Sequence, residues 1–133
     1  MKKFVFIILL IVHLLPAGKL TLLRQESLEI PLAKYRAVRF ALPQYQSDSA
    51  GLYGNIQLNP DTASVELILL HIDDYLRWRR NFEPVDTLAY VSLSSGPFEL
   101  RVPGLGSYAL VISNRGNYQP VVAVLDLNLT FSG

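Results

Sequence analysis

The chain has 133 residues, half of them hydrophobic, with 12 basic and 11 acidic side chains and no cysteine. That length and apolar content suit one folded domain and exclude a disordered chain. The absent cysteines exclude disulfides, thiol catalysis and lipid attachment at a cysteine, while the near-zero charge excludes a general attraction to nucleic acid.

Met1-Lys2-Lys3 followed by an apolar run from Phe4 to Leu15, then Pro16-Ala17-Gly18, follows the order of a secretory signal peptide. The apolar run is shorter than the ~20 residues that span a bilayer. Leu15 and Pro16 suit a cleavage site poorly, so a short uncleaved anchor is the alternative. The expected layout is a leader over 1–18 and one domain over 19–133. Without Lys2 and Lys3 the domain carries ten basic and eleven acidic side chains. The Met-Lys-Lys start and the lack of cysteine point to an exported protein, periplasmic or extracellular, of a bacterial envelope.

After the leader the recurring signal is two-residue alternation, the mark of strands with one buried face. Leu28, Ile30 and Leu32 predict a first strand; Val38, Phe40 and Leu42 a second; Leu52, Gly54, Ile56 and Leu58 a third. Val65 to Ile72 is apolar on both faces and predicts a central strand. Asp73 to Arg80 interrupts the pattern and predicts a helical turn capped by an Asp. Leu88–Leu93, Phe98–Val102, Ser107–Asn114 and the long run from Val121 to Phe131 complete about eight strands. Asn59-Pro60-Asp61, Ser95-Gly96-Pro97, Pro103-Gly104-Leu105-Gly106 and Asn114-Arg115-Gly116-Asn117 are turn signals between them. Strands at short spacing with polar turns predict an all-β, antiparallel β-sandwich.

The order of Val38-Arg39-Phe40, Gly51-Leu52-Tyr53-Gly54-Asn55-Ile56, Val65-Glu66-Leu67-Ile68-Leu69-Leu70 with Asp73-Asp74-Tyr75-Leu76-Arg77-Trp78, and Gly106 to Asn114 resembles the GOLD-like β-sandwich of p24 lumenal domains and their bacterial relatives. The resemblance spans about residues 30–131. It implies a jelly-roll or GOLD-like sandwich that binds protein, with no catalytic residue to carry over. The p24 cysteine pair, coiled coil and transmembrane helix have no counterpart in this sequence, which argues against a cargo receptor.

Catalytic and metal motifs are missing by composition. Beyond the leader the one histidine, His71, lies within an apolar strand and reads as structural; one His without Cys does not make a zinc site. Asp73-Asp74 lacks the loop of a calcium site, and Gly104-Leu105-Gly106 lacks a following helix for phosphate, reading instead as a hairpin turn. We therefore expect no enzyme, no metal and no cofactor. Asn128-Leu129-Thr130 matches the N-glycosylation acceptor, for which chance is the default.

The candidate binding segment is Tyr75, Arg77, Trp78, Arg79 and Arg80, because Arg and Trp combine contact area with directional polar groups. The competing reading is a turn whose Trp78 plugs an end of the sandwich while the arginines are solvated. Lys34, Arg36 and Arg39 form a second basic cluster that reads as protection of a strand edge. The expected partner is another envelope or membrane protein. A glycan, with Trp78, Tyr75 and Tyr53 as stacking platforms, is the alternative, and requires those rings to lie in one plane.

Overall fold

The computed structural model describes residues 5–7, 17–42, 50–81, 85–104 and 106–132. Most of the predicted leader lies outside these residues. Its described part includes a three-residue strand, β1 (Val5–Ile7), paired parallel to β3 (Tyr35–Leu42) with Phe6 opposite Val38.

The remaining strands are β2 (Ala17–Ile30), β4 (Ala50–Asn59), β5 (Val65–His71), β6 (Ala89–Leu93), β7 (Gly96–Val102), β8 (Gly106–Ser113) and β9 (Val121–Ser132). Two sheets face each other, one ordered β1-β3-β8-β5-β6 and the other β2-β9-β4-β7. Apart from β1, every pairing is antiparallel. Eight antiparallel strands in this order form a jelly roll, the β-sandwich that alternation predicts. Among them, β5 to β6 is the one connection that returns to its own sheet, and it does so through the helix α1 (Ile72–Asn81).

Alternation explains the core. Val38, Phe40 and Leu42 meet Leu52, Ile56 and Leu58, with Val65, Leu67 and Leu69, Tyr108, Leu110 and Ile112, and Val121 through Leu129 closing the layer. Burial of this apolar layer is the main stabilising term of a domain without disulfides.

Three expectations are corrected. The first predicted strand starts earlier, at Ala17, while Leu32 lies outside it and is 46% exposed. Its first half is concealed in sequence because the register shifts between Thr21 and Leu23 and again between Leu23 and Glu26, so Leu22 and Leu23 are both buried. Gln25 stands at φ 49°, and the Asp126 carboxylate accepts from its backbone N–H at 2.8 Å, which stabilises the irregular turn of chain. Second, Gly104-Leu105-Gly106 is not a hairpin: β7 and β8 belong to different sheets, and the chain crosses between them. Gly106 has φ +138° at that crossing, and Gly96 has φ +148° at the crossing from β6 to β7, backbone that side-chain-bearing residues rarely adopt. Third, the helix starts at Ile72, so Asp73 and Asp74 lie within its first turn instead of capping it. Their charge, and that of Arg79 and Arg80 in the last turn, complements the helix dipole.

The Asn114–Asn117 turn is a polar knot at one end of the sandwich. Asn114 is fully buried, and its Nδ2 donates to the carbonyls of Ile30 (3.0 Å), Pro31 (3.3 Å) and Gln119 (3.1 Å). Asn117 donates to Asn114 Oδ1 and to the Ser64 carbonyl, both at 2.6 Å. One pair of amides thus ties together three chain crossings.

Candidate functional site

The central strands β5 and β8 are apolar on both faces because α1 covers the outer face of their sheet. Ala109 and Val111 of β8, Leu70 of β5 and Ala37 of β3 are buried there beneath Tyr75, which is itself 0% exposed. Ile72, Leu76 and Trp78 complete the contact. The helix is thereby fixed to the sheet by a small second core, and its remaining side chains face outward.

Trp78 does not plug an end of the sandwich. It is half-buried on the outer sheet face, 4.9 Å between ring centroids from Tyr35 and inclined at 60°. Tyr35 also meets Tyr75 edge-on, at 6.4 Å and 84°. Burial pushes the Tyr35 hydroxyl well above its ordinary range, the neighbouring Tyr75 adds to the rise, and the charges of Arg79 and Arg39 oppose it.

The structure brings one member of the second basic cluster, Arg39, to the segment of the first. Arg39 of β3 and Arg79 of α1 both place their guanidinium groups at the Tyr75 ring, 5.4 and 5.7 Å from its centroid. Such cation–π contacts hold a cation without neutralising it. Neither arginine has a carboxylate partner among the described residues, and the Nε of Arg39 and the hydroxyl of Tyr75 are buried without a hydrogen-bond partner. Arg80 is exposed at the end of the same helix. Arg77 differs, forming an ion pair with Asp74 one turn back. Arg36 lies apart from the ridge: it is 5% exposed, donates to the Tyr35 carbonyl at 3.1 Å, and has its pKa lowered by burial against the opposing charge of Glu29.

Of the five predicted site residues, Trp78 and Arg79 line the ridge and Arg80 extends it, while Tyr75 is the platform beneath. Arg39 joins them through the fold. Register carries the missed signal: Tyr35, Ala37 and Arg39 share the outer face of β3, and only the placement of α1 over that face shows their use.

Tyr53 lies elsewhere, on the outer face of the four-stranded sheet, so it shares no plane with Tyr75 and Trp78. A glycan platform built from those three rings is excluded. His71 is exposed at the end of β5 and stacks on Tyr108, with centroids 5.1 Å apart. The Asn128-Leu129-Thr130 triplet lies within β9, where Asn128 accepts a hydrogen bond from Thr21. Among the described residues, no helix is long and apolar enough to cross a membrane.

No known family profile and no curated protein matches the chain. Solved structures do. The pre-peptidase C-terminal domain of a collagenase from Bacillus anthracis aligns with a TM-score of 0.52 at 10% identity, covering 96% of this chain and 97% of that one. PliG, a periplasmic inhibitor of g-type lysozyme from Aeromonas hydrophila, aligns at 0.45 and 7% identity, covering 95% and 99%. The CBM36-1 domain of a multidomain xylanase from the hindgut metagenome of Trinervitermes trinervoides aligns at 0.45 and 14% identity, covering 88% and 97%. The first shows the sandwich fold. None of the three is a p24 domain, and at these identities none assigns a function.

Proposed function

We propose that this protein is an exported, non-enzymatic β-sandwich module that binds an acidic surface of another envelope or membrane protein through the ridge of Arg39, Trp78, Arg79 and Arg80. The observation that carries this reading is the pair of guanidinium groups held against Tyr75 without a carboxylate partner among the described residues. A fold gains little by placing two cations at one ring and leaving both unneutralised. A partner carboxylate meeting Arg79 in a partly desolvated setting gains a charge-assisted, potentially bidentate bond, worth ~1.5–3 kcal/mol. The aromatic packing of Tyr35 and Trp78 fixes the ridge before binding, which lowers the entropic cost of association. The basic Met-Lys-Lys leader supports export.

The test is recovery of the tagged protein from its own cells after mild crosslinking, compared with an Arg79→Glu/Arg80→Glu variant. One stoichiometric partner, lost on charge reversal and weakened by raising salt, is the expected result. A partner retained by the charge-reversed variant overturns the assigned site. Arg77→Ala serves as a control with a small expected effect, because Asp74 already engages that guanidinium.

A further inference from the structure

The helix covers one outer face of the sandwich, and among the described residues no element covers the opposite outer face, on the four-stranded sheet. Pairing places its outward side chains in rows across the strands: Thr21, Asn128, Tyr53 and Glu99 in one row, and Lys19, Thr130, Gly51 and Arg101 in the next. Around Tyr53 the sheet is hollowed into an open depression of about 590 Å³, lined by Tyr53, Gly54, Pro97, Phe98, Glu99 and Thr130. Beside it, at Gly51, a methyl group in place of the hydrogen would lie 3.2 Å from Thr130 Oγ1 and 3.8 Å from Glu99 Oε2, so both side chains stand close over side-chain-free backbone. A carboxylate oxygen and a hydroxyl thus stand at the depression beside a half-exposed aromatic ring.

We infer that this depression binds a neutral, β-linked oligosaccharide. The chemistry fits that class on three counts. Tyr53 offers a flat ring of partly exposed surface against which the C–H face of a pyranose can pack; the Lys19 ammonium, 5.7 Å from the ring centroid, is an exposed group on a flexible stem that a sugar can displace. Glu99 has no hydrogen-bond or ion-pair partner among the described residues and is free to accept two sugar hydroxyls, while Asn128, whose Oδ1 accepts from Thr21, retains its amide N–H groups as donors. Charge balances locally, with Lys19 and Arg101 against Glu99 and Asp126, so no net charge on these rows favours an anionic chain over a neutral one. A flat ribbon-like glycan also suits a sheet surface, along which outward side chains recur about every 6.6–6.8 Å.

Isothermal titration of the purified protein with cello-, xylo-, manno- and chitohexaose, and with oligogalacturonate as an anionic control, tests the inference. At least one neutral hexasaccharide should bind; Tyr53→Ala should weaken it about tenfold or more, Glu99→Gln severalfold, and Tyr53→Phe little. Arg79→Ala should leave the affinity unchanged, and emission from Trp78, on the far side of the molecule, should not move. The melting temperatures of the Tyr53 and Glu99 variants, both at surface positions, report whether each is folded. Silence towards all four neutral sugars, binding that survives Tyr53→Ala, binding lost with Arg79→Ala, or binding of oligogalacturonate alone would each overturn the inference. Loss of the protein partner instead of the sugar on Tyr53→Ala would reassign this face to protein.

Discussion

Replacing Asn114 with alanine removes one buried amide that serves three backbone carbonyls and one neighbouring side chain. The Ile30 carbonyl lies in the buried part of the knot, whereas those of Pro31 and Gln119 are partly accessible. An unsatisfied buried carbonyl costs ~1–3 kcal/mol, and each of the others forfeits a net bond of ~0.5–1.5 kcal/mol that water can partly replace. With the acceptor for Asn117 also gone, Asn114→Ala should cost about 3 kcal/mol, a large part of the ~5–15 kcal/mol by which domains are stable. Urea unfolding at neutral pH is the assay. For a slope of about 1.5–2.5 kcal/mol/M the midpoint should fall by ~1–2 M. Asn114→Asp separates donation from shape: it keeps the outline but loses both N–H donors and points a carboxylate at carbonyls, so it should fall at least as far. A midpoint within about 0.3 M of the parent for either variant would refute the idea that donation by Asn114 ties the β2–β3 link to the β8–β9 link.

Other substitutions probe separate parts of the account. Gly54→Ala would put a methyl carbon 1.8 Å from the Asp126 carbonyl oxygen, a clash with backbone that no rotamer relieves, and should cost about 3 kcal/mol or more in the same unfolding assay. Unchanged stability would mean that β4 and β9 do not approach so closely. Burial alone would raise the Glu66 carboxyl, but hydrogen bonds from Tyr90 (2.5 Å) and Arg115 (2.9 Å), and the Arg115 charge, overcome it and hold the group below its ordinary value. Its contribution is therefore present above about pH 4.5 and lost as pH falls through the lowered value. Glu66→Gln should accordingly melt lower than the parent at pH 7, with the gap closing as the pH falls through the lowered value; a constant gap would contradict the pairing. Tyr35→Ala should loosen Trp78, seen as a red shift of emission from the single tryptophan, without unfolding the sandwich.

What could be read in the sequence follows from period. Six of the strands announce themselves by alternation over residues such as Phe98, Leu100 and Val102, because one face of each meets the core, whereas β8, like β5, is buried on both. Val65 to Ile72 reads as central because both faces are covered, although only the structure shows that α1 supplies the second cover. The early part of β2 is illegible because two register shifts place Leu22 and Leu23 both in the core and break the period. Sheet membership is illegible too: Gly104-Leu105-Gly106 looks the same whether it folds a hairpin or carries the chain to the other sheet. At the site, Trp78 and the arginines of α1 are local in sequence and stand out together, whereas Arg39 lies 40 positions before Arg79 and reaches it through tertiary packing. The role of Asn114 is similar, since an Asn–Arg–Gly–Asn stretch signals a turn but not the buried carbonyls it serves.

The most direct test of the arginine ridge as a docking surface is site-specific photo-crosslinking in the protein's own cells. A photoreactive residue replacing Arg80, at the exposed end of α1, is compared with one replacing the exposed Gln57 on the outer face of the four-stranded sheet. The account predicts one abundant adduct from position 80, abolished when Arg79 is changed to Glu and not formed from position 57. No adduct from position 80, or the same adduct from both positions, would contradict it.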